Sequence, residues 1–223
     1  MGQDVPKQFM HVNDKPVIVY TMEAFQLHPL IDKIIVVTLP SWMTVLKAYA
    51  KQFNITKLEW IVEGGKTGAY SIYNGIKELK NSQSAEDNIL IHDGDRCNVS
   101  SEIISNNLAT VEQYGSAVTV IPCYEAVFER SDYNNAEDTQ ELPRNQLYRI
   151  QTPYTYKLGE LLDAYAKYDE LQKDYSAPCL MMEKLHHKIY FSRGSETNLK
   201  ITTIEDLSIF KALLNTEKYQ WSK

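Results

Sequence analysis

Asn88-Ile-Leu-Ile-His-Asp-Gly-Asp-Arg-Cys97 is the stretch on which the reading of this chain turns. Its apolar run from Ile89 to Ile91 has no polar alternation, as expected of a strand whose two faces are both covered by helices. The run ends in two aspartates and an arginine, and open α/β sheets bind ligands beyond the carboxyl ends of their strands. Working outward, Lys33-Ile-Ile-Val-Val-Thr38 and Ser116-Ala-Val-Thr-Val-Ile121 repeat the pattern. Between these runs the apolar spacing predicts helices over 17–28, 42–52, 68–81 and 102–114, with Ser41 and Ser100 as N-caps. The same alternation returns with helices over 158–168 and 177–186, a strand over 188–191 and a last helix over 204–214. Strand alternating with helix specifies an α/β sheet.

The sequence has 223 residues, 43% of them hydrophobic, which is enough for one full core and predicts a single domain over 1–223. Lys plus Arg number 23 against 29 Asp plus Glu, a formal charge of −6. No segment concentrates the cations, which excludes a protein that tracks a nucleic-acid backbone. The longest apolar runs fall far short of the roughly 20 residues that span a bilayer, so neither a membrane span nor a signal peptide is expected. Cys97, Cys123 and Cys179 are widely spaced and form no CxxC, which suggests neither a disulfide framework nor a zinc site. A reducing cytoplasm fits this usage.

Four stretches bear chemistry. Lys7, after Pro6 in a non-helical opening, is either a solvated lysine or a point charge for a phosphate. Glu63-Gly-Gly-Lys-Thr-Gly-Ala-Tyr-Ser71 is either a plain turn or a place where backbone closes on a ligand, with Ser71 in the first turn of the next helix. It is neither GxxxxGK[ST] nor GxGxxG. Asp93 projects at a strand end and can hold Mg²⁺, a hard cation that takes carboxylate and phosphate oxygens. Alternatively, Asp93 and Asp95 pair with Arg96 or cap the next helix. Arg144 and Lys200 each precede a helix in a non-helical setting; with Lys7 and Arg96 they make four cations in a net acidic chain, a distribution suited to a phosphate-bearing substrate. From Tyr124 to Leu147 the α/β pattern fails. The polar run over 129–141, tipped by Asn134 and Asn135, is either a surface loop or an arm that packs on a partner.

Pro6-Lys-Gln8, Lys15-Pro-Val17, Gly64-Gly65 with Ser71, His92-Asp93 with Arg96, Gln151-Thr-Pro153 and Asn198-Leu-Lys-Ile-Thr-Thr-Ile-Glu-Asp-Leu207 stand in an order that resembles the cytidylyltransferases of methylerythritol phosphate and ribitol phosphate. The likeness runs from Met1 to about Leu214. Leu142-Pro-Arg-Asn-Gln-Leu-Tyr148 and Trp42 after Pro40-Ser41 resemble the ribitol-phosphate, teichoic-acid branch more than the isoprenoid branch.

The resemblance implies a Rossmann-like nucleotidyltransferase: a mostly parallel twisted sheet, helices on both faces, and a protruding dimerisation arm over 129–148. It implies Mg²⁺, CTP, a polyol phosphate and a homodimer. Lys7, Lys200 and Asp93 would be catalytic, with Asp93 also beside the metal. Gly64, Gly65, Ser71 and Asp93 would be cofactor-binding, with Gly65 and Ser71 contacting the cytosine, while Arg96, Arg144, Thr152 and Lys200 would bind substrate, Arg144 coming from the partner's arm. The family's glycine-rich opening strand and loop would precede Met1-Gly2 and do not occur in this sequence. Gly68, Ala126, Tyr154 and Ser176-Ala-Pro178 also depart from the family's habit. A second reading is therefore a catalytically impaired homologue that binds nucleotide or protein.

Overall fold

A computed structural model describes residues 5–135, 137–168, 175 and 177–217. A hairpin of β1 (His11–Val12) and β2 (Lys15–Pro16) opens it; its turn residues Asn13 and Asp14 both have positive φ, as a tight hairpin of this hand needs. There follow α1 (Val17–Leu27), β3 (Ile34–Thr38), α2 (Met43–Gln52), β4 (Leu58–Glu63), α3 (Gly68–Leu79), β5 (Asn88–Ile91), α4 (Ser101–Tyr114) and β6 (Ser116–Pro122). A second hairpin, β7 (Val127–Arg130) with β8 (Thr139–Leu142), leads into the long β9 (Tyr148–Lys157). The described chain closes with α5 (Leu158–Ala166), α6 (Pro178–Lys184), β10 (Phe191–Arg193) and α7 (Ile204–Glu217).

The larger sheet has the order β10-β6-β9-β5, and a separate pair joins β3 to β4. β10 runs parallel to β6, and β9 runs against both β6 and β5, so β9 alone is reversed in that sheet. Successive strand residues point to opposite faces. On β5, Ile89 and Ile91 pack into one apolar cluster with α3, α5 and α6, while Leu90 packs into another with α1, α2 and α4. Ile35 and Val36 of β3 divide in the same way. Helices thus cover both faces, which is why these strands read as unbroken apolar runs. A third cluster seats Phe210 of α7 on Val12, Val17 and Ile201.

No described strand pairs with the free edges of β3 and β5. Every residue of both strands lines a cleft of about 1470 Å³, which continues over their carboxyl ends to Lys7, Asp93 and Lys200.

Several sequence expectations change. The strand expected over 188–191 pairs as Phe191–Arg193, because Ser192 and Arg193 continue the ladder opposite Thr119 and Val120, with the Ser192 hydroxyl satisfied by Asn107. Ser41 caps nothing: Pro40 starts a 3-10 turn over Pro40–Trp42, and α2 begins after it with Trp42 at its N-cap. Ser100 does cap α4, accepting from Ile103 N at 3.2 Å. β4 and the full length of β9 were not expected, since Leu58-Glu-Trp-Ile-Val-Glu63 mixes charge with apolar residues and β9 carries Pro153 among threonines. The helix expected over 158–168 ends at Ala166. Ser176 and part of the 129–148 stretch, Ala136, lie outside the described residues.

Candidate active site

Beyond the end of β5 the chain turns within three residues, Arg96 N donating to Asp93 O at 3.0 Å, which brings the Arg96 side chain back over Asp93. Arg96 Nε donates to Asp93 Oδ2 at 3.1 Å, and Lys200 Nζ stands 3.2 Å from the same oxygen. Arg96 spends another donor on the carbonyl of Asn198 at 2.8 Å, so one guanidinium ties the end of β5 to the segment carrying Lys200.

His92 and Thr152 hold Asp93 from behind. His92 Nε2 lies 3.0 Å from the Arg96 carbonyl, which can only accept, so Nε2 carries the ring proton. Nδ1 is then an acceptor, and the Thr152 hydroxyl donates to it at 3.0 Å. That hydroxyl oxygen in turn accepts from Asp93 N at 3.1 Å. The relay works only with neutral imidazole. Removal from water drives the His92 pKa down to about 4, against the carbonyl of Arg96 and the Asp93 carboxylate, which favour the proton. Burial pushes the Asp93 carboxyl up, yet Lys200 first, then His92 and Arg96, outweigh it and hold it below the ordinary range.

Lys200 is placed by buried amides. Asn198, with no exposure, donates through Nδ2 to Thr152 O at 2.9 Å and to Gln151 Oε1. Gln151 Nε2 donates to Ser195 O at 2.8 Å. Gly194 sits so close that a Cβ would fall 2.4 Å from Gln151 Oε1, so the loop entering Asn198-Leu-Lys200 is drawn flat onto β9. Deeper in, the two hydrogens of Asn107 Nδ2 are shared among the Thr119 and Ser192 hydroxyls and the Pro153 carbonyl, fixing the segment that bears Thr152.

Lys7 arrives from the opposite side on a 3-10 turn over Lys7–Phe9. Phe9 is buried and stacks on Trp42 with centroids 4.2 Å apart. Lys7 Nζ meets Asp95 Oδ2 at 2.6 Å. Ser71 lies in the first turn of α3, where its hydroxyl donates to Thr67 O at 2.9 Å and accepts from Gly65 N at 3.0 Å. A Cβ on Gly65 would stand 2.4 Å from Tyr70 Cβ, so only glycine allows that approach. Gly64 N donates to Thr38 O at 2.8 Å, joining this turn to the end of β3.

Of the residues singled out from sequence, Lys7, Ser71, Asp93, Arg96, Thr152 and Lys200 line one cleft. Gly64 and Gly65 do not line it; Gly65 adjoins it only through its N–H bond to the Ser71 hydroxyl. Arg144 does not join them: it lies in the 3-10 turn Arg144–Gln146 after β8 and donates to Tyr124 O at 2.9 Å. The alternative for the two aspartates holds in part, since Asp93 pairs with Arg96, but Asp95 pairs with Lys7. Sequence reasoning missed Asp95 as that partner, and Gln151 and Asn198 as supports. Their signal was weak, because amides and carboxylates read as surface residues unless their distant partners are known.

An ionised carboxylate between two cations can take a hard cation that shares phosphate oxygens. Among the described residues no group of three or more His, Cys, Asp and Glu is assembled to hold a metal by itself. Asp93 could supply one oxygen to a magnesium ion whose other ligands would be phosphate and water oxygens.

The chain matches the family described as "IspD: 2-C-methyl-D-erythritol 4-phosphate cytidylyltransferase" over residues 1–216. A ribitol-5-phosphate cytidylyltransferase of Lacticaseibacillus paracasei is 37% identical, covering 98% of this chain and 94% of that protein. A 2-C-methyl-D-erythritol 4-phosphate cytidylyltransferase of Clostridium botulinum is 32% identical, covering 96% and 91%. Among solved structures, a 4-diphosphocytidyl-2C-methyl-D-erythritol synthase superposes with a TM-score of 0.79 at 26% identity, covering 94% of this chain and 95% of that one.

Proposed function

The chain belongs to the 2-C-methyl-D-erythritol 4-phosphate cytidylyltransferase family, and from that premise we propose that it transfers CMP from CTP to a polyol phosphate, with ribitol 5-phosphate as its acceptor. One acceptor phosphate oxygen attacks the α-phosphorus of CTP; the new P–O bond forms as the bond to the bridging oxygen breaks, and pyrophosphate leaves with the electron pair. No side-chain nucleophile is required. Charge accumulates on phosphoryl oxygens, so the work falls to fixed cations that hold two polyanions in line.

The observation that carries this reading is the convergence of Lys200 and Arg96 on Asp93, with Lys7 in the same cleft. Lys7 and Lys200 flank the reacting phosphates as point charges. Arg96 and Thr152 face the acceptor, and Gly64, Gly65 and Ser71 take the cytosine. Asp93 would hold Mg²⁺, which when bound neutralises phosphate charge and orients its oxygens. The chain's own part is to keep Asp93 ionised and aimed, through Lys200, Arg96 and the His92–Thr152 relay.

Ribitol 5-phosphate is preferred because the Lacticaseibacillus paracasei ribitol-phosphate relative, at 37% identity, exceeds the methylerythritol-phosphate relatives at 32% and 33%, although two other ribitol-phosphate relatives share 31%. Homodimerisation through the β7–β8 hairpin, with the partner supplying Arg144 to the acceptor, belongs to the same reading; the hairpin's exposed aromatics support it. Three buried free cysteines support work in the cytoplasm. No described helix is long and apolar enough to cross a membrane. No feature of the site favours a binding module without turnover.

A panel of acceptors at fixed CTP and magnesium tests the assignment. Ribitol 5-phosphate should give a kcat/KM at least about tenfold above that of 2-C-methyl-D-erythritol 4-phosphate, a difference of about 1.4 kcal/mol in transition-state binding. The reverse order would move the chain to the other acceptor.

A further inference from the structure

We propose that Asp95 is a positioning residue for Lys7, holding its ammonium so that the remaining donors face the incoming phosphates. The inference rests on the reading of this cleft as a nucleotidyl-transfer site.

A lysine ammonium has three donors on a flexible stem and no geometry of its own. Here one donor is spent on Asp95 Oδ2 at 2.6 Å. Asp95 is a rigid post for the purpose. It is only 7% exposed, and its backbone is pinned on two sides. Its carbonyl accepts from Ile201 N at 3.0 Å, next to Lys200. The preceding Gly94 accepts from Thr21 Oγ1 at 2.9 Å and lies so tightly on α1 that a Cβ would come within 2.8 Å of Ile18 Cδ1. One residue therefore sets Lys7 through its side chain and meets the Lys200 segment through its backbone.

Two features distinguish this from an ordinary ion pair. Asp95 Oδ1 is enclosed and has no hydrogen-bond partner among the described residues, a cost of the kind functional sites tolerate. The carboxylate also puts a negative charge beside the place proposed for a polyanion, which opposes ground-state binding. Removing the charge should then separate binding from turnover: Lys7 loses its aim, while CTP loses a repulsion.

The test is a double-mutant cycle with Asp95→Asn and Lys7→Ala, read as kcat and as KM for CTP. Asp95→Asn alone should lower kcat about tenfold or more with KM for CTP unchanged or lower. In the Lys7→Ala background it should change kcat less than about twofold, since there is no ammonium left to aim. Equal losses in both backgrounds, an unchanged kcat, or a raised KM alone would overturn the proposal. Asp95→Ser serves where thermal melts show that the asparagine variant is poorly folded. If the wild-type chain releases no pyrophosphate with any acceptor, the functional reading fails separately. The same cycle is then read as calorimetric affinity for magnesium-CTP, where an effect of Asp95→Asn that disappears in the Lys7→Ala background upholds the pairing and an equal effect in both backgrounds overturns it.

Discussion

Asp93 is held by charge more than by solvent access, with two cations on one oxygen and its own amide donating to Thr152. Asp93→Asn keeps the shape and removes the charge, so magnesium-dependent turnover should fall below detection while the far-ultraviolet dichroism stays native. An unchanged rate and magnesium dependence would make Asp93 structural. Lys200→Ala should lower kcat roughly a hundredfold, the usual cost of one electrostatic stabiliser, with a smaller change in CTP affinity. Lys200→Arg should recover only part of that, because a planar fork replaces a compact charge. A change confined to KM for CTP would make Lys200 a ground-state binder. His92 provides a pH signature. Its folded pKa, near 4, lies below the ordinary 6.5, so stability is full above about pH 6.5. As pH falls from there towards 4 the unfolded chain takes up a proton that the folded chain refuses, and about 1–3 kcal/mol should be lost. Asp93, whose pKa is depressed, contributes its own loss only below its ordinary value near 3.8. Melting temperatures between pH 7.5 and 4.5 should thus fall in the wild type and fall less in His92→Gln; parallel curves would refute the relay's neutral imidazole.

The element that delivers Lys7 is a single 3-10 turn, too short to be stable by itself. It is seated by Phe9 on Trp42, at the mouth of the cluster shared by α1 and α2. Phe9→Ala should therefore cost about 3 kcal/mol or more in chemical denaturation, as for other buried aromatics, and should also lower kcat by freeing Lys7. Lost stability with kcat intact would separate the turn from catalysis. The β7–β8 hairpin has the opposite character: Phe128 is 68% exposed and Tyr133 90%, more apolar surface than a solvated arm needs. Light scattering at micromolar concentration should give the mass of two chains, and Phe128→Glu should shift it towards one. A strict monomer with full turnover would contradict the dimer.

At the scale of the whole molecule, what could be read from sequence follows from what was buried. The runs that became β3, β5 and β6 are apolar on both faces, so their order announced the α/β sheet, and His92-Asp93 stood out because it ends such a run. β9 was hidden because half of its buried positions are polar: Gln151, Thr152 and Thr155 are buried beside Pro153, Tyr154 and Tyr156, and their partners, Ser195, His92 and Asn107, lie 44, 60 and 48 residues away. The Lys7–Asp95 pair was invisible for the same reason, two charged residues joined only by the fold. Short motifs placed the cations, and the polar layer that aims them had to be seen in space. The cations this layer aims serve nucleotidyl transfer. Phosphorus NMR of a reaction containing the protein, CTP, magnesium and ribitol 5-phosphate tests that most directly. A new diphosphate diester should appear with equimolar pyrophosphate, both dependent on the acceptor; unconsumed CTP, or CTP cleaved to CMP without an acceptor-linked diphosphate, would contradict that role.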